Sequence, residues 1–182
     1  MTRAKTIVSI TILLITLVWS SKFVSRAYNQ IKEPIIFDQL RPPSLTPYGG
    51  LLLKKGYQQS TDYTCGPASL ALAFKSLGVN VTEKEIAEKI PVSPLGTSML
   101  ALADEAKMRG FKATGLKLTK KDLLRIKKPV IAFINGNHFV VIVSNSRQEL
   151  LLIDPSLGKV LIKKKDFFKI WDGYVMALER GE

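Results

Sequence analysis

Residues 59–70 read QSTDYTCGPASL and contain Cys65, the only cysteine of the chain. A polar turn precedes this cysteine and helix-forming residues follow it, which predicts a helix over residues 67–77 that ends at Gly78. A thiol at a helix N-terminus is stabilised as the thiolate by unpaired amides and the helix dipole. Cys65 therefore occupies a good position for a nucleophile, although a small apolar side chain buried at a helix start is an alternative.

Two further helices are predicted directly after the first. Thr82-Glu-Lys-Glu85 is a capping box, which begins a helix that runs to about Ile90. Thr97 or Ser98 begins the next helix, which ends at Gly110.

The remainder of the chain is dominated by short apolar runs rich in β-branched residues. After a strand over 111–118 and a helical turn over 120–126, strands are predicted at 129–134, 139–143, 149–153, 159–162 and 174–178. Their close spacing favours an antiparallel sheet. Helices followed by strands indicate an α+β fold, with the helical half on one side of the sheet and a cleft between the first helix and the strands.

His138 is the only histidine, and it lies between the turn at 135–137 and a strand. A lone histidine is often just a satisfied polar group, but a Cys at a helix start and a His at a strand start suit a Cys–His pair. The turn at 145–147 folds two strands into a hairpin whose open end brings His138 near Asp154. Asp154 is thus the candidate that orients the imidazole; a turn-starting Asp before Pro155 is the alternative.

Acyl transfer also requires hydrogen-bond donors for the oxyanion. The backbone N–H of Cys65 supplies one donor. The side-chain amide of Gln58 or Gln59 is the candidate for the second, unless both belong to a solvated turn.

Composition narrows the class of protein. The chain has 182 residues, of which 46% are hydrophobic and 23% charged, which is typical of a globular domain with an appendage. One Cys and one His cannot build a metal cluster, so no cofactor is expected. The net charge of +12 comes from dispersed lysines, which indicates a solvated basic surface or attraction to anionic lipid headgroups and not a nucleic-acid interface.

The amino-terminal part predicts attachment to a membrane. Residues 6–21 carry no charge and have basic residues on both sides, so residues 1–27 are predicted to be a signal anchor or a signal peptide. Residues 28–56, rich in Pro and Gly, are predicted to be a linker to a domain at 57–182. The short basic terminus favours a single-pass protein of the cytoplasmic membrane with the domain outside the cytoplasm, or a secreted domain after signal cleavage.

Taken together, these motifs resemble the bacteriocin-processing, or double-glycine, cysteine peptidase family. The similarity rests on Gln59, on Cys65-Gly-Pro-Ala-Ser-Leu70, on His138-Phe-Val-Val, on Asp154-Pro-Ser-Leu-Gly158 and on Trp171-Asp-Gly-Tyr174, in this order along the chain.

The resemblance implies a papain-like fold and a cysteine-type endopeptidase. It implies that Cys65 is the nucleophile, His138 the general base and then acid, Asp154 the orienting residue and Gln59 the oxyanion donor. Substrates would be peptides or proteins with Gly-Gly or Gly-Ala before the scissile bond, and a secretion apparatus would be a partner. A peptide-binding module that does not cut, and an enzyme of another acyl-transfer reaction, are the alternative functions.

The chain departs from exporter-fused relatives in one respect. It contains no GxxxxGK[ST] loop and only one hydrophobic segment, so it does not bind ATP or transport by itself. Gly49-Gly50 is a candidate site at which the chain would cleave itself, but Ser44 and Pro47 stand where the leader pattern requires apolar residues. A plain turn is the prediction for this pair.

Overall fold

The computed structural model describes residues 44–56 and 58–181. Helices and strands alternate in the first half and strands dominate the second, in the order β1 (Leu51–Lys55), α1 (Cys65–Ser76), α2 (Glu83–Ala87), α3 (Met99–Met108), β2 (Phe111–Lys117), α4 (Lys120–Arg125), β3 (Val130–Ile134), β4 (His138–Asn145), β5 (Glu149–Asp154), β6 (Gly158–Lys163), α5 (Lys164–Ile170) and β7 (Trp171–Arg180). The predicted α+β fold with a carboxyl-terminal antiparallel sheet is confirmed.

All strands of the sheet pair antiparallel in the order β1-β6-β5-β4-β3-β7-β2. Strands β3 to β6 follow one another as hairpins, which is what short turns between apolar runs dictate. The register between β4 and β5 shifts between Ile142 and Ser144, so β4 carries a bulge just before the hairpin turn.

The structure contains the first two predicted helices, and the first of them begins at a different residue from the one predicted. Helix α1 begins at Cys65 itself, two residues earlier than predicted, so the thiol lies within its first turn. At α2, Thr82 and Glu85 exchange the hydrogen bonds of the predicted capping box.

Ser98, and not Thr97, caps α3, because its side chain accepts from the N–H of Ala101. The Thr97 hydroxyl instead donates to the Pro91 carbonyl at 2.8 Å.

Two apolar cores lie on the two faces of the sheet. The first joins α1, α2 and α3 to the sheet and includes Cys65, Phe74 and Phe139. The second joins α4 and α5 to the opposite face, around Leu123 and Phe167. Helices α4 and α5 therefore cover the second face of the sheet. Helix α5 was not predicted, because KKDFFKI is too short and too basic to show a clear apolar period.

The prediction of a linker through residue 56 is corrected by the structure. Residues 51–55 form β1, which pairs with β6 at the edge of the sheet. This strand is short, follows Gly49-Gly50 and ends in Lys54-Lys55, so its sequence lacks the alternation that marks a strand. Only its pairing with β6 reveals it. Gly49 has φ +80 and Gly50 is buried, so the predicted turn at this pair is found.

Within the described residues, no helix is long and apolar enough to cross a membrane. The predicted signal anchor or signal peptide at 1–27, and most of the predicted linker, lie outside the residues that the structure describes.

Candidate active site

Cys65 lies at the amino end of α1, where the first backbone N–H groups of a helix have no intrahelical partner. Its exposed fraction is 5%. Gly66 follows it, and a Cβ at Gly66 would stand 2.5 Å from the Thr97 side chain. The glycine therefore allows the loop before α3 to pack directly against the residue that follows the thiol.

His138 is the first residue of β4, directly after a tight turn. The turn uses two left-handed residues, Asn135 with φ 53 and Gly136 with φ 70. The end of α5 and the start of β7 brace it: the Asn135 N–H donates to the Ile170 carbonyl at 2.8 Å, and the Gly136 N–H donates to Asp172 Oδ2 at the same distance. The imidazole is thus carried on a well-supported turn, which limits its movement.

Asp154, the last residue of β5, is fully buried and accepts four hydrogen bonds. Its Oδ1 atom lies 3.1 Å from His138 Nε2. The same oxygen accepts from the Ser156 N–H at 2.8 Å and from the Ser156 hydroxyl at 2.6 Å. Its Oδ2 atom accepts from the Tyr48 hydroxyl at 2.8 Å. A buried carboxylate with this many donors is held in its charged form.

The pKa values of the three groups indicate a coupled set. Burial opposes charge on Cys65, but hydrogen bonds from the His138 side chain and from the Phe139 and Gly66 backbone hold its pKa below the ordinary value. Burial also opposes charge on His138, but Asp154 and Cys65 raise its pKa to about 9. Because Nε2 contacts Asp154, Nδ1 is the ring nitrogen left for Cys65.

The pKa of Asp154 is held below its ordinary value. Burial alone would raise it, but the hydrogen bonds and charge of His138, with the donors Ser156 and Tyr48, outweigh that effect. The structure thus brings the three predicted residues Cys65, His138 and Asp154 together: His138 contacts Asp154 at 3.1 Å, and the thiol and the imidazole lie close enough to shift each other's pKa. This geometry is suited to thiolate chemistry.

Gln59 lies on the segment that leads into α1. Its backbone N–H donates to the Pro155 carbonyl at 3.2 Å, directly beside Asp154. Its side-chain Nε2 donates to the Thr61 carbonyl at 2.9 Å, while its Oε1 is buried and has no hydrogen-bond partner among the described residues. An amide nitrogen carries two N–H groups, so one is left for a ligand. The side chain of Gln58, the other candidate, is exposed.

Comparison with known proteins identifies the family. The model of the Peptidase C39 family matches residues 54–182. The chain belongs to this family. Among the described residues, the match covers helices α1 to α5, strands β2 to β7 and the last two residues of β1.

Three relatives illustrate the similarity. An uncharacterized protein of Methanothermobacter thermautotrophicus is 37% identical over 122 residues, which are 67% of this chain and 86% of that protein. A probable functional amyloid protease, FapD, of Pseudomonas fluorescens is 30% identical over 66% of this chain and 58% of its own length. A crystal structure of a double glycine motif protease from an AMS/PCAT transporter, in complex with the leader peptide, is 26% identical over 70% of this chain and 92% of that chain, with a TM-score of 0.65.

The fold and family together support a cysteine peptidase. The similarity to double glycine motif proteases that the sequence motifs indicated is confirmed at the level of family and fold.

Two residues that contact the site were missed in the sequence. Tyr48 is separated from Asp154 by 106 residues and lies in a Pro/Gly-rich stretch that predicts only a turn. Ser156 lies two residues after Asp154, and a serine at that offset is a common turn donor, so Asp154-Pro-Ser156 contained a local indication of its hydrogen bond.

Proposed function

We propose that this chain is a cysteine endopeptidase that acts through an acyl-enzyme formed on Cys65. The observation that carries the proposal is the meeting of the thiol, the imidazole and the buried Asp154 carboxylate at one site, with 3.1 Å between His138 Nε2 and Asp154 Oδ1. A lowered Cys pKa beside a raised His pKa favours a thiolate–imidazolium pair, which is the reactive form of a catalytic cysteine.

In the first half-reaction, the Cys65 thiolate attacks the scissile carbonyl carbon and the carbonyl oxygen becomes an oxyanion. The Cys65 backbone N–H and the Gln59 amide donate to this oxyanion. The His138 imidazolium gives its proton to the leaving amine, the C–N bond breaks, and a thioester on Cys65 remains. His138 is then neutral and Asp154 fixes its orientation.

In the second half-reaction, neutral His138 removes a proton from water, and the hydroxide attacks the thioester carbon. The C–S bond breaks, the carboxylic acid product leaves, and Cys65 returns to the thiolate beside protonated His138. Asp154 keeps its charge throughout, because the Tyr48 hydroxyl, the two donors of Ser156 and the neighbouring imidazole stabilise it.

The proposed substrate is a peptide or protein with Gly-Gly or another pair of small residues before the scissile bond. Support comes from the family and from a structural relative described as a double glycine motif protease bound to a leader peptide. A secretion apparatus is proposed as a partner on the same ground. The exposed fraction of Cys65 is only 5%, which suits a substrate with a slim backbone beside the scissile bond.

For location, we propose a single-pass protein of the cytoplasmic membrane whose peptidase domain is outside the cytoplasm. The support is the uncharged run at residues 6–21 with its basic flanks. Added protease on intact spheroplasts should degrade the domain; full protection until lysis would contradict this location. A secreted domain would instead appear, shortened, in the soluble fraction.

The proposal is tested by incubating the purified chain with a library of peptides that contain Gly-Gly at a central position, followed by mass spectrometry. The expected result is cleavage after the second glycine by the natural chain and none by Cys65→Ala. Cys65→Ala is small enough to keep the packing at the start of α1, so melting temperatures of the two chains provide the folding control.

Two outcomes would support other functions. Binding of a leader peptide without any cleavage by the natural chain would indicate a binding module. A product that carries an added amine in place of hydroxide would indicate acyl transfer, because the same thioester can be resolved by either nucleophile.

A further inference from the structure

Tyr48 precedes the residues that the family model matches, 54–182, yet its hydroxyl donates to Asp154 Oδ2 at 2.8 Å. We propose that Tyr48 is a positioning residue of the active site, which fixes the Asp154 carboxylate so that Oδ1 stays with His138. The inference rests on the proposed catalytic role of Asp154, and it places the segment before the family domain in the machinery of the site.

The two carboxylate oxygens of Asp154 have different partners. Oδ1 faces His138 and both donors of Ser156, whereas Tyr48 is the one donor to Oδ2 recorded in the described part of the chain. Asp154 has an exposed fraction of 0%, so solvent does not reach Oδ2 to replace the phenol. Loss of the hydroxyl would leave a buried acceptor without a partner, which disfavours the charged carboxylate.

A small hairpin at residues 44–52 fixes the position of Tyr48. The Thr46 N–H donates to the Gly50 carbonyl at 2.7 Å, and the Gly50 N–H donates to the Thr46 hydroxyl at 2.9 Å. A Cβ at Gly50 would stand 2.5 Å from the Val160 side chain, so this turn packs directly on β6. Tyr48 is therefore held against the sheet by its own turn and not by the hydrogen bond alone.

Tyr48 and Cys65 approach the site from different sides of the sheet. Cys65 belongs to the core formed with α1, α2 and α3, whereas the Tyr48 ring packs against the core formed with α4 and α5. Asp154 is thus held from the second core, independently of the elements that carry the thiol. This division suits a group that positions the carboxylate and does not touch the substrate.

The phenol remains a donor throughout the working range of pH. Burial, followed by the charge and hydrogen bond of Asp154, raises the pKa of Tyr48 well above the ordinary tyrosine value. The other titratable groups at this position are His138, which contacts Asp154, and Cys65 beyond the imidazole. Removing the phenol should therefore raise the pKa of Asp154. At low pH, a smaller fraction of His138 would then be imidazolium and a smaller fraction of Cys65 would be thiolate.

The test is the rate of Cys65 alkylation by iodoacetamide across the pH range, on the full chain and on Tyr48→Phe. Cys65 is the only cysteine, so the rate reports this thiol alone. The acid limb of the profile should move to higher pH by about half to one unit in the variant. With a cleavable peptide, kcat should fall about 10-fold with KM unchanged, because the phenol does not contact substrate.

Tyr174→Phe is the matched control, since it removes a phenol on β7 and should leave the profile of the natural chain unchanged. Should Tyr48→Phe fail to fold, Tyr48→Gln compared with Tyr48→Leu carries the same test, because Gln offers a side-chain N–H donor and Leu offers none.

The outcomes separate the two proposals. A natural chain with an ordinary thiol profile would overturn both the proposed function and this inference. A natural chain with an activated thiol, together with a Tyr48→Phe profile that coincides with it, would overturn the role of Tyr48 alone, even if the variant melted at a lower temperature.

Discussion

His138 and Asp154 are 16 residues apart in the chain, and their side chains meet at 3.1 Å between Nε2 and Oδ1. The contact is diagonal across the β4–β5 hairpin: Val141 pairs with Ile153 and Ile142 with Leu152, so Asp154 lies two positions away from the residue directly opposite His138. Long side chains bridge such diagonal pairs. The hairpin therefore brings base and acceptor together at the strand ends, beside the start of α1.

The pH dependence of cleavage follows from the paired pKa shifts. The pKa of Cys65 is lowered and that of His138 is raised to about 9. We expect kcat/KM to rise with pH as the thiolate forms, at a pH below the ordinary thiol range, and to fall as the imidazolium loses its proton near pH 9. A steady rise through pH 9 would show that protonated His138 is not required.

The same shifts predict how stability depends on pH. The folded pKa of His138, about 9, exceeds the ordinary histidine value of 6.5, so the stabilisation is full below pH 6.5 and is lost as pH rises through about 9. Urea unfolding of the natural chain, kept reduced, and of His138→Ala should measure this stabilisation, because Asp154 and Cys65, which raise the pKa of His138, are both present in the natural chain. A difference in unfolding free energy between them that stays constant from about pH 6 to 10 would contradict the raised pKa.

Asp154→Asn should lower kcat/KM by about 100-fold or more. The amide keeps the size of the side chain but removes the charge that stabilises imidazolium, so the pKa of His138 should fall below about 9 and the basic limb of the profile should move to lower pH. Steady-state kinetics across pH measure both effects. An unchanged basic limb would mean that Asp154 does not act on His138.

Gln59→Ala should lower kcat by about 100- to 1,000-fold, since it removes one donor to the oxyanion. The rate of Cys65 alkylation should stay unchanged, because no oxyanion forms in that reaction. Gln58→Ala is the matched control: its side chain is exposed, and its backbone bond to Pro155 is kept. Equal kcat values for the two variants would remove Gln59 from the oxyanion site.

Gly158→Ala tests whether β1 belongs to the domain. Gly158 has φ +120, and a Cβ there would overlap the Lys54 carbonyl oxygen and stand 2.6 Å from the Gly56 nitrogen. Urea unfolding should show a loss of about 2–4 kcal/mol from strain and displacement of the edge strand. Gly56→Ala, where a Cβ meets no atom within 4 Å, should change stability by less than about 0.5 kcal/mol. Equal stabilities would contradict the close packing of β1 on β6.

The sequence predicted those parts of the fold that local patterns encode. The capping box at Thr82, the thiol at a helix start and the hairpin between His138 and Asp154 all have short-range causes. Strand β1 and Tyr48 were missed because their partners are distant: Leu51 pairs with Leu161, and Tyr48 contacts Asp154 across 106 residues. A Pro/Gly-rich stretch carries no local trace of such contacts. The roles of Gln59, Cys65, His138 and Asp154 stay predictions until variants are measured.

The central claim is that His138 keeps Cys65 as a thiolate. Its most direct test is the rate at which iodoacetamide alkylates Cys65 at about pH 6 in the natural chain and in His138→Ala. A free thiol is almost fully protonated at that pH, so the rate should fall about 100-fold in the variant. Circular dichroism should first show that the variant is folded. A variant rate equal to that of the natural chain would contradict the account.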